Sequence, residues 1–258
     1  MDLVRPEEVL FQIARAIDER RGFWVANHNL HSLFLYRQDE EFRRFFRRAD
    51  LIEVDSVPVI GWARLVGRRS RTFHRCTYLD WRSLFWNAVT EKGWRVFFVG
   101  GQPGVAERAR AEILAQWPQA RLQVRHGFFD AEPRSAENKA LLREIELSGA
   151  DIVLVGMGMP RQEKWILANA GALGGRVVLP IGGAFDYEAG EQVPCPRWLG
   201  RLGFEGLFRL CMDPQRLFVR YCVEPWWLIG PAGRDVLRLV KAGWSRLAEA
   251  LDVGAELG

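Results

Sequence analysis

The chain has 258 residues, is 48% hydrophobic and carries a formal net charge of +4. This suits one large domain or a domain with an appendage, and argues against a disordered chain or an obligate nucleic-acid binder. Its four cysteines form no CxxC pair, so neither a zinc site nor a disulfide framework is supported, and a reducing cytosol is the expected setting.

The opening stretch "MDLVRPEEVLFQIARAIDERRG" spaces its apolar residues as a helix does, with charges between them, and predicts a helix rather than a cleaved leader. No apolar run approaches the roughly 20 residues of a bilayer span, so any membrane contact is expected to be peripheral. "GFWVANHNLHSLFLYRQ" predicts a buried strand ending near Ala26, a polar turn, and a helix with Leu30, Leu33 and Phe34 on one face. "LIEVDSVPVIGWARLVG" repeats the plan with a strand reaching Asp55. "GWRVFFVGGQPGVAERARAEILAQWPQ" predicts a strand over 96–99, a glycine turn and a helix ending before Pro118. Further strands are expected in "ARLQVRHGFF", "DIVLVGMG" and "GRVVLPIGG". Strands alternating with helices imply an α/β fold with a mostly parallel sheet layered between helices. Ligands of such sheets bind beyond the carboxyl ends of the strands. Those ends hold Asn27, Asn29, Asp55, Gly100, Gly101, Gly158, Gln162 and Asp186.

From "CPRWLGRLGFEGLFRLCMDPQRLFVRYCVEPWWLIG" onward arginines alternate with aromatics, and acids are limited to Glu205, Asp213 and Glu224. The last stretch sets Val236, Leu237, Val240, Trp244, Leu247 and Leu251 at helical spacing. This divides the chain into an α/β core over 1–195 and a helical, membrane-associating appendage over 196–258. The appendage could cover a core edge, lie on anionic lipid, or grip a diphosphate through its guanidinium groups.

Three local patterns bear on chemistry. Gly156-Met157-Gly158 starts a dinucleotide fingerprint, but Arg161 stands where the third glycine belongs, which weakens a nicotinamide-dependent oxidoreductase. What remains is a turn or an anion site at the start of the helix after Pro160, with Arg161 adding charge. Asp55 has three readings: a helix cap, an E-x-D metal pair with Glu53, or a general base. His28, His31, His74 and His126 lack ligand spacing and are expected at the surface or in turns.

In order along the chain, "VFFVGGQPGVAERA", "RHGFF", "ADIVLVGMGMPRQEKWILAN", "PIGGAFDYEAGEQVPCPRWL" and "EGLFRLCMDPQRLFVRY" resemble the motifs of the WecG/TagA/CpsF glycosyltransferases. The resemblance spans about Phe23 to Tyr221. It implies a Rossmann-like enzyme that moves a hexose or N-acetylhexosamine from a UDP-sugar to a polyprenyl-diphosphate-linked saccharide, with inversion and without a metal or other cofactor. Such an enzyme serves teichoic-acid, common-antigen or exopolysaccharide synthesis at the cytoplasmic face of the plasma membrane. Carried over by motif, Asp55 and Gln162 fall in catalytic positions. Asn27, Asn29, Arg75, Gly100, Gly101, Gly158, Arg161, Asp186, Arg209, Arg216 and Arg220 fall in substrate-binding ones. Asn27 replaces the family's usual threonine, and "HRCTY" replaces its usual E-R-x-x-G. The expected partners are the UDP-sugar, the lipid-linked acceptor and an anionic membrane surface, with no nucleic acid; a homo-oligomer is also compatible. A non-catalytic lipid- or polysaccharide-binding protein is the alternative outside enzymology.

Overall fold

A computed structural model describes residues 1–241. Helix α1 (Pro6–Asp18) leads into β1 (Phe23–His28), then α2 (Leu30–Gln38), α3 (Glu40–Arg48) and β2 (Leu51–Val54). After α4 (Val57–Leu65), a short turn of helix and α5 (Tyr78–Lys92) come β3 (Arg95–Gly100), α6 (Val105–Gln116), β4 (Arg121–Arg125) and α7 (Ala136–Ser148). The core closes with β5 (Ile152–Gly156), α8 (Arg161–Ala168), β6 (Val177–Pro180) and α9 (Ala184–Glu188). Beyond it lie α10 (Arg197–Arg201), α11 (Glu205–Met212), α12 (Pro214–Phe218), two irregular helical turns and a helix over 229–241. Trp244, Leu247 and Leu251, expected to continue that last helix, lie outside the described residues.

All six strands are parallel, in the order β2-β1-β6-β5-β3-β4. A parallel sheet needs helices on both faces, which is why β3, β5 and β6 read as nearly unbroken apolar runs, while the edge strand β4 alternates. Alternate residues of β3 feed two separate cores. Phe98 joins Ile13, Phe85 and Trp86 on one side, and Phe97 joins Phe42, Phe45, Trp165 and Ile166 on the other. At about 1.5–3 kcal/mol for each large side chain buried, these two layers dominate the stability. Local signals set the helix ends. Asn29 Oδ1 and Ser135 Oγ accept from the backbone N–H three residues on, starting α2 and α7, and Gly93 and Gly149 close α5 and α7 with positive φ.

Strand β1 runs two residues past the expected end at Ala26. Asn27 pairs with Glu53 and His28 with Val54 in the parallel register, so Asn27 lies within the sheet. His28 is buried rather than at the surface. Its ring stacks on Phe46 at 4.1 Å and its Nδ1 meets Ser32 Oγ at 2.9 Å. Burial pushes its pKa down to about 3, so this imidazole packs as a neutral ring.

Gly100 and Gly101 have a structural explanation. Gly100 sits opposite Gly156 in the β3–β5 register, and a Cβ there would stand 2.6 Å from the Gly156 Cα. A Cβ on Gly127 would in turn stand 3.0 Å from the Gly100 Cα, while Gly101 N–H donates to Gly156 O and Gly101 O accepts from Gly127 N–H. The glycines let three strand ends meet backbone to backbone. Gly100→Ala should therefore cost at least about 2 kcal/mol of stability in urea unfolding, from overpacking against fixed backbone. A midpoint unchanged from wild type would show that the strand ends can separate freely.

Candidate active site

The strand ends of β1, β2, β5 and β6 form the floor of a cleft, and α11, α12 and the turn after it form the opposite wall. Asn27, Asn29, Asp55, Gly158 and Gln162 line it from the core, and Arg209, Arg216 and Arg220 from the far wall. A second cleft opens between the start of α4 and the appendage, lined by Ser56, Val57, Arg75 and Tyr221. The two clefts share Asn29, Asp55, Glu205, Arg209 and Arg220. Asp55 therefore borders both.

Asp55 follows the last residue of β2. Its N–H is bonded to His28 O at 2.8 Å, and the helix-cap position of α4 belongs to Ser56. Its carboxylate accepts no hydrogen bond from the described residues. Burial, seconded by the nearby Glu205, raises its pKa to about 7, against the pull of Arg75 and Arg209. A carboxylate so tuned gives and takes a proton near neutrality.

Glu205 and Arg75 form a buried ion pair across this position, Arg75 Nη2 donating to Glu205 Oε2. The other terminal nitrogen of Arg75 is buried and has no partner. Glu205 was not a sequence candidate, although its isolation among arginines was a visible signal. The other two acids of that stretch are engaged as well. Asp213 caps α12 and binds Arg216 Nε at 2.6 Å, and Glu224 meets His31 Nδ1 at 2.6 Å. Arg209 and Arg220 face the cleft and form no ion pair among the described residues, leaving two cations available to an anion.

Glu53 also escaped the sequence reading as anything but half of a metal pair. Residues two apart on a strand share a face, and Glu53 and Asp55 line the same cleft. Glu53 Oε1 accepts from Asn27 Nδ2 at 3.0 Å, while Glu53 Oε2 and Asn27 Oδ1 are buried without partners. Burial, with Asp55 close by, raises the Glu53 pKa to about 8, so it keeps its proton at neutral pH. Among the described residues no three His, Cys, Asp or Glu side chains cluster as metal ligands.

Gln162 lies in the cleft, but its carboxamide is committed. The Oε1 accepts from Gly158 N–H and Gly182 N–H, both at 3.2 Å, and the Nε2 donates to the buried Glu163 at 2.8 Å. It ties the β5 and β6 loops together rather than pointing a free amide at a ligand. At the start of α8 one N–H of the expected anion site is taken, Gln162 N–H donating to Gly158 O. Arg161 is directed away: its guanidinium donates to Phe129 O at 2.8 Å and lies over the Phe129 ring. Gly100, Gly101 and Arg161 thus stand outside both clefts. Asp186 lies beside the first cleft, its Oδ2 accepting from Gln192 Nε2 at 3.0 Å, and burial raises its pKa.

The model of the glycosyl transferase WecG/TagA/CpsF family matches residues 1–241 of the chain.

The Glu53 environment yields a stability test. With its pKa raised from an ordinary 4.5 to about 8, Glu53 favours the folded state most below pH 4.5, and that contribution is lost as pH rises through 8. Glu53→Gln keeps the shape and removes the titration. Its melting temperature should match wild type near pH 5 and exceed it increasingly toward pH 8. A difference that stays constant with pH would overturn the assignment.

Proposed function

The chain belongs to the WecG/TagA/CpsF family of glycosyl transferases, whose work is sugar transfer in cell-surface polysaccharide synthesis, and on that premise we propose a two-substrate mechanism centred on Asp55. The observation that carries it is the position of Asp55 on the border of both clefts. A UDP-sugar occupies the strand-end cleft, and the sugar of a polyprenyl-diphosphate-linked acceptor enters through the second. Asp55 takes the proton of the acceptor hydroxyl as its oxygen attacks the anomeric carbon. The carbon–oxygen bond to UDP breaks on the opposite face, UDP leaves with the electron pair, and the configuration inverts.

The departing diphosphate needs charge stabilisation, which Arg209 and Arg220 are free to give from the far wall. This makes arginine rather than a metal ion the electrostatic partner of the reaction. Asn29 and the Asn27–Glu53 pair line the cleft floor and suit sugar hydroxyls. The transferred sugar is a hexose or N-acetylhexosamine, with a hexose for an exopolysaccharide the favoured choice. A dinucleotide-dependent oxidoreductase would need a glycine where Arg161 stands, and a non-catalytic binding protein has no use for a carboxylate tuned near neutrality between two clefts.

The appendage supports peripheral attachment at the inner face of the plasma membrane. Trp198, Phe204, Phe218 and Trp226 are exposed among arginines, and no described helix is long and apolar enough to cross a membrane. Exposed indoles and phenyl rings beside guanidinium groups suit the interface of anionic lipid.

Thermal-shift screening with UDP-glucose, UDP-GlcNAc, UDP-ManNAc and UDP-ManNAcA should single out the donor. With that donor and a diphosphate-linked acceptor, Asp55→Asn should lower kcat by about 10²–10⁴-fold in a UDP-release assay while the fold is retained. Turnover within a few-fold of wild type would remove Asp55 as the base. Because a base acts unprotonated, wild-type kcat/KM should rise with pH and level off above about 7.

A further inference from the structure

The segment joining α4 to α5 carries a charge pattern that the catalytic scheme leaves unused. From Ser56 to Leu79 there is no acidic residue and there are five arginines, of which only Arg75 is buried in the active site. Arg64, Arg68, Arg69 and Arg71 are exposed, and none of them has a carboxylate partner among the described residues. Between and beside them stand Leu65, 66% exposed, Val66 and Phe73.

The segment is held in shape by its own polar contacts. Buried Ser70 donates through Oγ to Ile60 O at 2.8 Å, and Arg64 Nε donates to Ser70 O at 3.2 Å. Arg68 N–H donates to Ala63 O at 2.9 Å and Arg71 N–H to His74 Nδ1 at 3.0 Å. Ser70 is thereby drawn inward while the arginines on either side of it are left in solvent. Leu65 and Val66, exposed on this pinned basic loop, gain little for the fold, while the half-exposed Phe73 ring lies beneath the Arg5 guanidinium and against His74.

This surface continues into the appendage. The indole N–H of Trp62 donates to Asp235 Oδ2 at 3.1 Å, joining α4 to the helix over 229–241. That helix exposes Val236, Leu237 and Val240 together with Arg234, Arg238 and Lys241. The same mixture of cations and aliphatics thus lies on both sides of one hydrogen bond.

We propose that residues 64–73 form a lipid-docking loop of the catalytic core. Arg68, Arg69 and Arg71 contact anionic headgroups, and Leu65, Val66 and Phe73 enter the boundary beneath them. Core and appendage then grip one membrane surface with Trp62 at the seam. The inference rests on the peripheral attachment proposed for the appendage and extends it to a part of the chain that is outside the appendage.

Co-sedimentation of the full chain with vesicles of phosphatidylcholine alone, or of equal parts phosphatidylcholine and phosphatidylglycerol, tests both levels separately. Wild type should sediment with the anionic vesicles and release at high salt. An arginine near an anionic surface contributes about fivefold to partitioning, so R68Q/R69Q/R71Q should bind the anionic vesicles at least about tenfold more weakly. L65S/V66S should lose several-fold, and both variants should melt with wild type. Turnover of a water-soluble short-chain acceptor should be kept in both and fall only with vesicle-embedded acceptor. Wild-type binding with an undiminished R68Q/R69Q/R71Q variant overturns the loop assignment. Loss of RNA binding in that variant, with vesicle binding intact, overturns it in favour of another polyanion. Failure of wild type itself to sediment overturns the membrane attachment on which the inference rests.

Discussion

The Arg75–Glu205 ion pair is the constraint on which the active site depends. Arg75 is 7% exposed and reaches the sheet through a bridge between its backbone and Val54 at the end of β2, while Glu205 opens α11 on the opposite wall. Two charges removed from water hold together because each would be costly alone, and losing one partner of such a pair costs about 3–5 kcal/mol. The pair fixes the distance between core and appendage beside Asp55. It also places opposite charges near that carboxylate, one raising its affinity for a proton and the other lowering it.

The rest of the site is built from side chains that bind protein in order to shape the cleft. Gln162 joins two loops, Asn27 holds Glu53, and Asn29 starts α2. Arg197 does the same from the appendage by donating to Asp80 near the start of α5. Besides the unpartnered buried atoms of Asn27, Glu53 and Arg75, what is left uncommitted inward is the carboxylate of Asp55 and the guanidinium groups of Arg209 and Arg220. A preorganised wall with few free groups suits a reaction whose demands are one proton transfer and stabilisation of one leaving anion.

The sheet was legible because parallel strands buried on both faces leave unbroken apolar runs, and "RVFFVG", "DIVLVG" and "GRVVLP" are of that kind. The end of β1 was misjudged because Asn27 and His28 look like turn residues until pairing with Glu53 and stacking on Phe46 are known. Asp55 was legible as a carboxylate at a strand end. Glu205 and Glu53 were not, since their meaning comes from partners 130 and 26 residues away in the chain. Gly100 and Gly101 misled in the other direction: a glycine that lets a ligand approach and one that lets a second strand approach look alike in a sequence.

The carboxylates of the appendage bear on how copies of the protein meet. Between Arg197 and Lys241 there are eight cations and four acids, and the acids are engaged by Arg75, Arg216, His31 and Trp62. The stretch keeps a net positive charge, and Arg234 and Lys241 have no carboxylate partner among the described residues. Two such surfaces approaching each other must do electrostatic work before their rings can touch, so the apolar face that would make the protein sticky is shielded from its own kind. A surface of opposite sign meets no such barrier.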